Sequence, residues 1–383
     1  MGGPVNAMAA YTGLLAEAGY PVTVYSVRKP TDGGSFRLDP RVGRVEEGVE
    51  AWNGFRRSAA LWRREQAAEI NLVHSHGLWA DVNRLADHAA RQRSVPHLLA
   101  PCGMLAPGAL RHHGWKKVLS RFWFQDRALR AAQCLHAKSR QEYEHIRSFG
   151  LRNPVAIIPN PIAPPPVGGP LVRGPQSVVP NRRTVLFLGR MHRVKGLARL
   201  VRAWAEVQRS AVSGRWSSGP SSASWQLVLA GPDEGGYRRE VEALIEELGC
   251  QNSVMLIGEL DEKQKWNALA AADLFVMPSD FENFGNAIVE AMLCAVPVVA
   301  TTGTPWEELK RMQAGWWVEP RVETLADALR EALTMPDAQR QAMGQRAFKL
   351  ADQFRPSRIG ADLVQVYQWL LSGAVRPACV RCD

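Results

Sequence analysis

Two glutamates, Glu282 and Glu290, are the residues of this sequence that most directly suggest chemistry. They lie in the stretch DFENFGNAIVEAM with seven residues between them, directly after the apolar run ADLFVMPS. A carboxylate accepts hydrogen bonds from hydroxyl groups. On one helix, the eight positions would separate the two side chains by about 12 Å along the axis. The spacing therefore suits an elongated ligand that carries hydroxyl groups at two places.

Two cations follow a second apolar run, TVLFLG. Arg190 and Lys195 come just after it, and fixed cations suit a phosphate or a diphosphate. Gly285 opens an apolar helical run, and the N–H groups and positive dipole of a helix start also favour an anion. A diphosphate site flanked by carboxylates for a sugar and a ribose predicts a nucleotide sugar as the ligand.

The elements that must position these residues alternate regularly. In the second half, the apolar runs TVLFLG, QLVLAG, VMLIG, LFVMP, PVVAT and GWWVE are separated by helical patterns such as YRREVEALIEELG and KQKWNALAAA. The first half repeats the pattern with PVTVYSV, NLVHSH, PHLLAP, CLHAK and VAIIP. Such alternation predicts an α/β fold with parallel sheets buried on both faces. Ligands of these sheets bind beyond the carboxyl ends of the strands, where the candidate residues fall.

A proline-rich stretch divides the chain. The segment Pro159–Asn181 contains eight prolines, so it reads as a connector rather than a helix or a central strand. The total of 383 residues suits two domains. We predict domains over residues 1–160 and 182–360, a linker over 161–181, and a C-terminal helix and tail over 361–383, the helix packing back on the first domain.

The charge is distributed unevenly. The net charge is +10, and residues 1–180 hold 23 of the 47 Lys and Arg but only 13 of the 37 Asp and Glu. The basic half would attract an anionic membrane surface, a phosphorylated acceptor or nucleic acid, although solubility alone explains it equally well. Six scattered cysteines suit a reducing compartment. With no apolar run long enough to span a bilayer, we expect a cytoplasmic protein.

The motifs GRMHRVKG and DFENFGNAIVEAM together resemble the retaining glycosyltransferases of family 4, the glycosyl transferases group 1, which have the GT-B architecture. AGPDEGGY, GTPWEEL and the N-terminal GGP extend the resemblance over nearly the whole chain. It implies two doubly wound Rossmann-like domains facing across a cleft, with the acceptor on the first and the nucleotide sugar on the second. It further implies metal-independent, cofactor-independent transfer of a hexose, with retention, from a UDP- or GDP-sugar to a carbohydrate or lipid-linked acceptor in polysaccharide or glycoconjugate synthesis.

The resemblance also assigns roles to residues. Arg190 and Lys195 would hold the diphosphate, Glu282 and the turn after it would contact the transferred sugar, and Glu290 would bind the ribose. The implied catalytic set is therefore Arg190, Lys195 and Glu282. The implied substrate-binding set is Gly2, Gly3, His76, Cys102, Asn283, Phe284, Gly285, Asn286 and Glu290. Of the two histidines in HSHGLW, His76 would lie on the acceptor side and His74 would serve packing.

Two features depart from the family pattern. The family opens with a strand before its Gly-Gly turn, whereas Met1 is followed at once by Gly2 and Gly3, so the first strand of the N-terminal domain is expected to be missing. Cys102 stands where a histidine or arginine often faces the sugar, and a thiol supplies neither the charge nor comparable hydrogen bonding. An alternative is therefore a catalytically impaired GT-B protein that binds a sugar nucleotide or acts as a scaffold.

Other classes and partners can be weighed from the sequence. A dinucleotide-dependent oxidoreductase would need G-x-G-x-x-G, and no two glycines of this chain are two positions apart. The segment His112–Arg130 interleaves basic and aromatic residues, which suits either peripheral contact with an anionic membrane or a solvated helix with aromatic residues in the core. No nucleic acid partner is expected.

Overall fold

The computed structural model describes residues 3–28, 38–48, 69–111, 125–165, 182–212 and 225–383. The contacts divide the chain into two compact units, one made of Met1–Ile162 with Phe354–Asp383 and the other of Ala163–Gln353. Each unit contains a sheet of mainly parallel strands with helices between them. The predicted α/β class with Rossmann-like parallel sheets is confirmed.

The elements have the following bounds. The strands are β1 Thr23–Arg28, β2 Gly43–Gly48, β3 Val73–His76, β4 His97–Ala100, β5 Cys134–Ala137, β6 Val155–Ile157, β7 Arg183–Leu188, β8 Trp225–Ala230, β9 Val254–Ile257, β10 Leu274–Met277, β11 Val298–Thr301, β12 Gly315–Val318 and β13 Val380–Arg381. The helices are α1 Gly3–Glu17, α2 Asp81–Arg93, α3 Pro107–Arg111, α4 Asp126–Ala131, α5 Arg140–Ser148, α6 Leu197–Val212, α7 Tyr237–Glu247, α8 Glu262–Ala271, α9 Asn286–Leu293, α10 Glu308–Arg311, α11 Val322–Thr334, α12 Asp337–Ala351 and α13 Pro356–Ser372.

The main sheet of the first unit has the order β13-β6-β5-β4-β3. Strands β3 to β6 run parallel, and β13 pairs antiparallel with β6. Every residue of β4 and β5 is buried, as expected for strands covered on both faces. The C-terminal helix α13 packs against α1, where Gly360 lies beside Leu14. The last residues of the chain therefore complete the unit that its first residues begin.

Strands β1 and β2 form a separate two-stranded parallel sheet. In the described ranges they pair with each other and not with β3, which ends the five-stranded sheet on that side. The first described element is α1, and it precedes β1. Both β2 and the short β13 are absent from the sequence-based prediction, because GRVEEG and VR are too polar or too short to stand out as buried strands.

The second unit contains a six-stranded parallel sheet with the order β12-β11-β10-β7-β8-β9. Its strands coincide with the six apolar runs of the second half, and β8, β10 and β11 are buried throughout. Strand β7 lies between β10 and β8, so the chain segments that follow β7, β8 and β10 emerge at neighbouring points of one sheet edge. That edge is where the sequence placed the candidate residues.

Two predicted segments fall largely outside the described residues. These are the proline-rich linker and the basic-aromatic segment that begins at His112, of which residues 125–130 are described. The predicted domain boundaries therefore stay predictions. Within the residues that the structure describes, no helix combines the length and the apolar character needed to cross a membrane.

Two mid-helix glycines provide a matched test of the packing. A Cβ atom on Gly344 of α12 would lie 2.0 Å from the backbone oxygen of Ala295, directly behind α9, whereas one on Gly360 of α13 would lie 3.4 Å from a Leu14 methyl group. Ala improves helix propensity by up to about 1 kcal/mol. We expect Gly344→Ala to lower the free energy of unfolding by about 1–3 kcal/mol and Gly360→Ala to leave it unchanged or raise it. Urea denaturation measures both, and equal effects would contradict the described packing of α12.

Candidate active site

Arg190 and Lys195, the two cations that follow β7, are held in place by different contacts. Arg190 is half-exposed, and its Nη1 donates a 2.5 Å hydrogen bond to Oε2 of Glu234, which follows β8. Lys195 ends a 3-10 turn, Arg193–Lys195, and its side chain is only 13% exposed. Gly196 follows with a φ of +69°, and a Cβ there would lie 2.1 Å from the backbone oxygen of Pro278. The backbone around Lys195 therefore packs directly on the end of β10.

The Asn-Phe-Gly turn is held by the loop after β11. The amide of Glu282 donates to the backbone oxygen of Gly303 at 2.8 Å, and a Cβ on Gly303 would lie 2.3 Å from the backbone oxygen of Ser279. The indole of the buried Trp306 donates a 2.5 Å hydrogen bond to the backbone oxygen of Phe284. The rings of these two residues also pack with their centres 5.5 Å apart. Backbone contacts and one indole thus determine where the turn lies.

The turn leads into helix α9, whose first residue is Asn286. Gly285 caps the helix with a φ of +83°, a left-handed conformation that favours glycine. A Cβ at this position would lie 3.2 Å from Cδ1 of Ile288 and 3.5 Å from the indole nitrogen of Trp306, so the start of the helix is closely packed. The predicted helix start at Gly285 is thus present, and Asn283 and Asn286 lie on either side of it, both partly buried.

The two glutamates of the opening motif each contact a lysine. Glu282 accepts a hydrogen bond from Nζ of Lys195 through Oε1. Glu290 on α9 accepts one from Nζ of Lys265 on α8 at 2.9 Å, and Lys265 also contacts Glu262 at 3.0 Å. Burial would lower the pKa of Lys265, but Glu290 and Glu262 together raise it above its ordinary value. The two pairs place one carboxylate beside the turn and the other farther along α9.

In the first unit, three neighbouring strands end in residues with reactive side chains. His76 is the last residue of β3, Cys102 follows β4, and Lys138 follows β5. The Cys102 sulfur lies 4.0 Å from Nδ1 of His76. Burial raises the pKa of the Cys102 thiol to about 11, so the thiol stays protonated near neutral pH. Cys102 therefore supplies a weak neutral donor at this position and no charge.

A chain of hydrogen bonds fixes the tautomers of His74, which is partly buried, and of His136, which is fully buried. His136 lies 2.8 Å from the backbone oxygen of Ile158 through Nε2, so Nε2 must carry the proton and Nδ1 must accept. His74 lies 3.0 Å from that Nδ1 through its own Nε2, and the Tyr367 hydroxyl lies 3.0 Å from Nδ1 of His74. The directions run from Tyr367 through His74 to His136. Burial lowers the pKa of both histidines well below the ordinary value, which keeps them neutral.

Both halves of the chain match models of known protein families. Residues 173–350 match the family described as "Glycosyl transferases group 1", and residues 2–161 match the "Glycosyl transferase 4-like domain". The chain belongs to the group 1 glycosyltransferases. It is 29% identical over 301 residues to α-maltose-1-phosphate synthase from Mycobacterium tuberculosis, an alignment that covers 73% of this chain and 71% of that protein.

Solved structures of other glycosyltransferases share the fold. Sucrose-phosphate synthase from Thermosynechococcus elongatus superposes with a TM-score of 0.74 at 20% identity, covering 97% of this chain and 94% of that one. Anabaena Alr3699/HepE in complex with UDP-glucose superposes with a TM-score of 0.72 at 18% identity, covering 96% of each chain. The fold of this glycosyltransferase is therefore GT-B, and the resemblance to the group 1 glycosyltransferases is confirmed.

The predicted site residues of this glycosyltransferase fall into both matched ranges. Arg190, Lys195, Glu282 and Glu290 lie in the second unit, and the structure brings Lys195 into contact with Glu282. His76 and Cys102 lie in the first unit and contact each other. Gly3 starts α1, and Gly2 lies outside the described residues. The individual roles of these residues stay predictions.

Sequence reasoning did not single out three residues that the structure places at the sites. Lys265 holds Glu290, Trp306 holds Phe284, and Lys138 lies buried beside the two neutral histidines. Trp306 lies in the quoted motif GTPWEEL, which was a usable signal. Lys265 sits in a helix that reads as an ordinary polar surface, and a lone lysine after a strand carries no signal of burial.

Lys138 gives this site a distinctive dependence of stability on pH. Burial lowers its pKa from 10.5 to about 8, although Cys102 and Glu142 act in the opposite direction. Between these two values the unfolded chain binds the proton and the folded protein does not, so stability rises with pH there. Relative to Lys138→Met, the wild type should gain roughly 1.4 kcal/mol per pH unit through that window.

Urea denaturation of both proteins from pH 7 to pH 10 measures this gain. Arg140→Met, two residues away and 86% exposed, is the matched control and should show no such change relative to the wild type. A stability difference between wild type and Lys138→Met that stays constant with pH would contradict a depressed pKa at Lys138.

Proposed function

We propose that this glycosyltransferase moves a hexose, with retention of configuration, from a UDP- or GDP-sugar to a carbohydrate or lipid-linked acceptor. The observation that carries the proposal is the contact between Lys195 and Glu282, with Glu290 farther along α9. A cation for a diphosphate and a carboxylate for a sugar hydroxyl then lie side by side. A nucleotide sugar presents these same groups in that order.

The donor would lie along the edge of the second sheet. The diphosphate would contact Lys195, Arg190 and the start of α9, and Arg190 would exchange its exposed partner Glu234 for a phosphate oxygen. The transferred sugar would contact Glu282 and the turn Asn283–Asn286. Glu290 would bind the ribose hydroxyls through the carboxylate oxygen that does not contact Lys265. The complex of Anabaena Alr3699/HepE with UDP-glucose supports a UDP-sugar as one candidate donor for this fold.

The proposed chemistry is attack from the same face that the leaving group vacates. The C–O bond between the sugar and the diphosphate breaks, and Lys195, Arg190 and the dipole of α9 stabilise the negative charge on the departing diphosphate. The acceptor hydroxyl then bonds to the anomeric carbon and gives its proton to an oxygen of the departing diphosphate. The stabilisation lies in fixed charges of the protein, so the proposal requires neither a metal ion nor another cofactor.

A second function is favoured by the state of Cys102. Its protonated, partly buried thiol supplies neither a charge nor a strong donor toward a sugar. This observation favours a protein that binds a sugar nucleotide without transferring the sugar efficiently. Hydrolysis of the donor separates the two functions: an active transferase should release free sugar slowly from its own donor without an acceptor, and a binding protein should release none.

The setting of the reaction belongs to the same proposal. We propose a cytoplasmic enzyme in polysaccharide or glycoconjugate synthesis, held peripherally at an anionic membrane face by the basic first half of the chain. Relatives such as α-maltose-1-phosphate synthase build saccharides, which supports a carbohydrate acceptor.

The first prediction for the donor site concerns Lys195. Lys195→Ala removes a largely buried cation, so UDP or GDP, whichever binds the wild type, should bind the variant roughly 10- to 100-fold more weakly. Lys310→Ala, which changes an exposed lysine of the same unit, is the control and should bind as the wild type does. Calorimetric titration measures these affinities, and an unchanged affinity in Lys195→Ala would remove Lys195 from the site.

The second prediction separates the two glutamates. Positive charge develops on the transferred sugar, so a contact there strengthens in the transition state, whereas a ribose contact binds ground and transition states alike. Glu282→Gln should therefore lower kcat by roughly 100-fold, and Glu290→Gln should mainly raise KM for the donor, by roughly 10-fold. Steady-state kinetics with the identified donor tests both variants. The reverse pattern would invert the proposed orientation of the donor.

A further inference from the structure

Lys138 is a buried cation whose ammonium group lacks a well-placed acceptor. Lys138 directly follows β5, and only 3% of the residue is exposed. Nζ lies 3.4 Å from Nδ1 and 3.2 Å from Nε2 of His136, and 4.2 Å from the centre of the Tyr11 ring. His136 Nε2 carries a proton, and Nδ1 already accepts from His74. The ammonium group therefore rests against two aromatic rings with most of its donor capacity unused.

A carboxylate does not compensate this charge by direct contact. The ion pairs found among the described residues do not include Lys138. Glu142 is close enough to favour the charged form of Lys138, but its two oxygens accept the backbone N–H groups of Gly103 at 2.5 Å and of Lys138 itself at 2.7 Å. A buried charge is costly unless it is paired and hydrogen-bonded. Cation–π contact with Tyr11 offsets only part of that cost.

The surroundings of Lys138 suit a ligand. It follows β5 at the carboxyl edge of the sheet, where His76 ends β3 and Cys102 follows β4, and this edge is where ligands of such sheets bind. The protonated Cys102 thiol faces Nδ1 of His76. Burial lowers the pKa of His76 well below its ordinary value, so its neutral ring keeps one N–H group, which can donate to an incoming oxygen.

We propose that Lys138 and His76 form a binding site for an oxyanion, a phosphate or carboxylate group carried by the acceptor saccharide. This inference rests on the proposed function, because it names the chemical class of the acceptor for that reaction. The ammonium of Lys138 supplies the charge, and the N–H group of the neutral His76 ring supplies a hydrogen bond. An uncharged saccharide would leave the ammonium group without its partner, so the site selects charged acceptors.

Calorimetric titration with glucose 6-phosphate, glucuronate and glucose tests the proposal. The donor site is first saturated with UDP so that the charged sugars cannot bind there. At least one charged sugar should bind the wild type roughly 10- to 100-fold more tightly than glucose, and the arm that does so distinguishes phosphate from carboxylate. Lys138→Met should abolish this preference, and Arg140→Met, an exposed neighbour, should retain it.

Several outcomes of these titrations would overturn the proposal. Equal binding of charged and uncharged sugars, binding of none of them, or an unchanged preference in Lys138→Met would each contradict it. If UDP does not bind, GDP takes its place, and if neither binds, the proposed donor site fails separately and the sugar titrations are made without a nucleotide. If Lys138→Met does not fold, a crystal structure of the wild type soaked with glucose 6-phosphate decides: an oxyanion outside hydrogen-bond distance of Lys138 Nζ contradicts the site.

Discussion

The ion pair between Lys195 and Glu282 is the interaction on which the candidate donor site depends. Both side chains are about 85% covered, at 13% and 16% exposure, and neither charge could stay there without a partner. The pair joins the segment after β7 to the segment after β10. Gly196 in the segment after β7 and Gly303 in the loop after β11 both approach the backbone that follows β10 closely, because a Cβ at either position would meet a backbone oxygen there at 2.3 Å or less. The sheet, the two glycines and the ion pair therefore determine one arrangement together.

The buried lysines of the two units differ in whether an ionic partner contacts them. In the second unit, Lys195, Lys265 and Glu290 each have an ionic partner in contact, so these three charges are paired before a donor arrives. A diphosphate that binds there must share or displace existing partners. In the first unit, the ammonium group of Lys138 contacts neutral rings. A bound ligand would supply the anionic partner that Lys138 lacks. Uncompensated buried charge lowers stability and persists chiefly where function requires it.

The sequence predicted the sheet strands well because buried parallel strands are uniformly apolar and short. The runs TVLFLG and LFVMP coincide with β7 and β10 within one residue, and the order of polar residues after them placed the candidate site at one sheet edge. The sequence could not show β2, which is polar, or the pairing of Val380 with Ala156, which joins residues far apart in the chain.

The sequence also could not show which side chains contact each other. Lys265 and Glu290 are 25 positions apart in the sequence and contact each other because α8 and α9 flank the same strand. No local sequence pattern predicts a contact over that separation. The burial of Lys138 depends on Tyr11 from α1 and His136 from β5 together. Spacing within a motif could therefore identify Glu282 and Glu290. Their contacting residues, such as Lys265, could be identified only once the fold was known.

The most direct test of this account is a crystal structure of the protein with UDP bound. The account predicts that a diphosphate oxygen lies within hydrogen-bond distance of Lys195 Nζ and that the ribose hydroxyls contact Glu290. A ribose placed at Glu282, or a diphosphate away from Lys195, would contradict it.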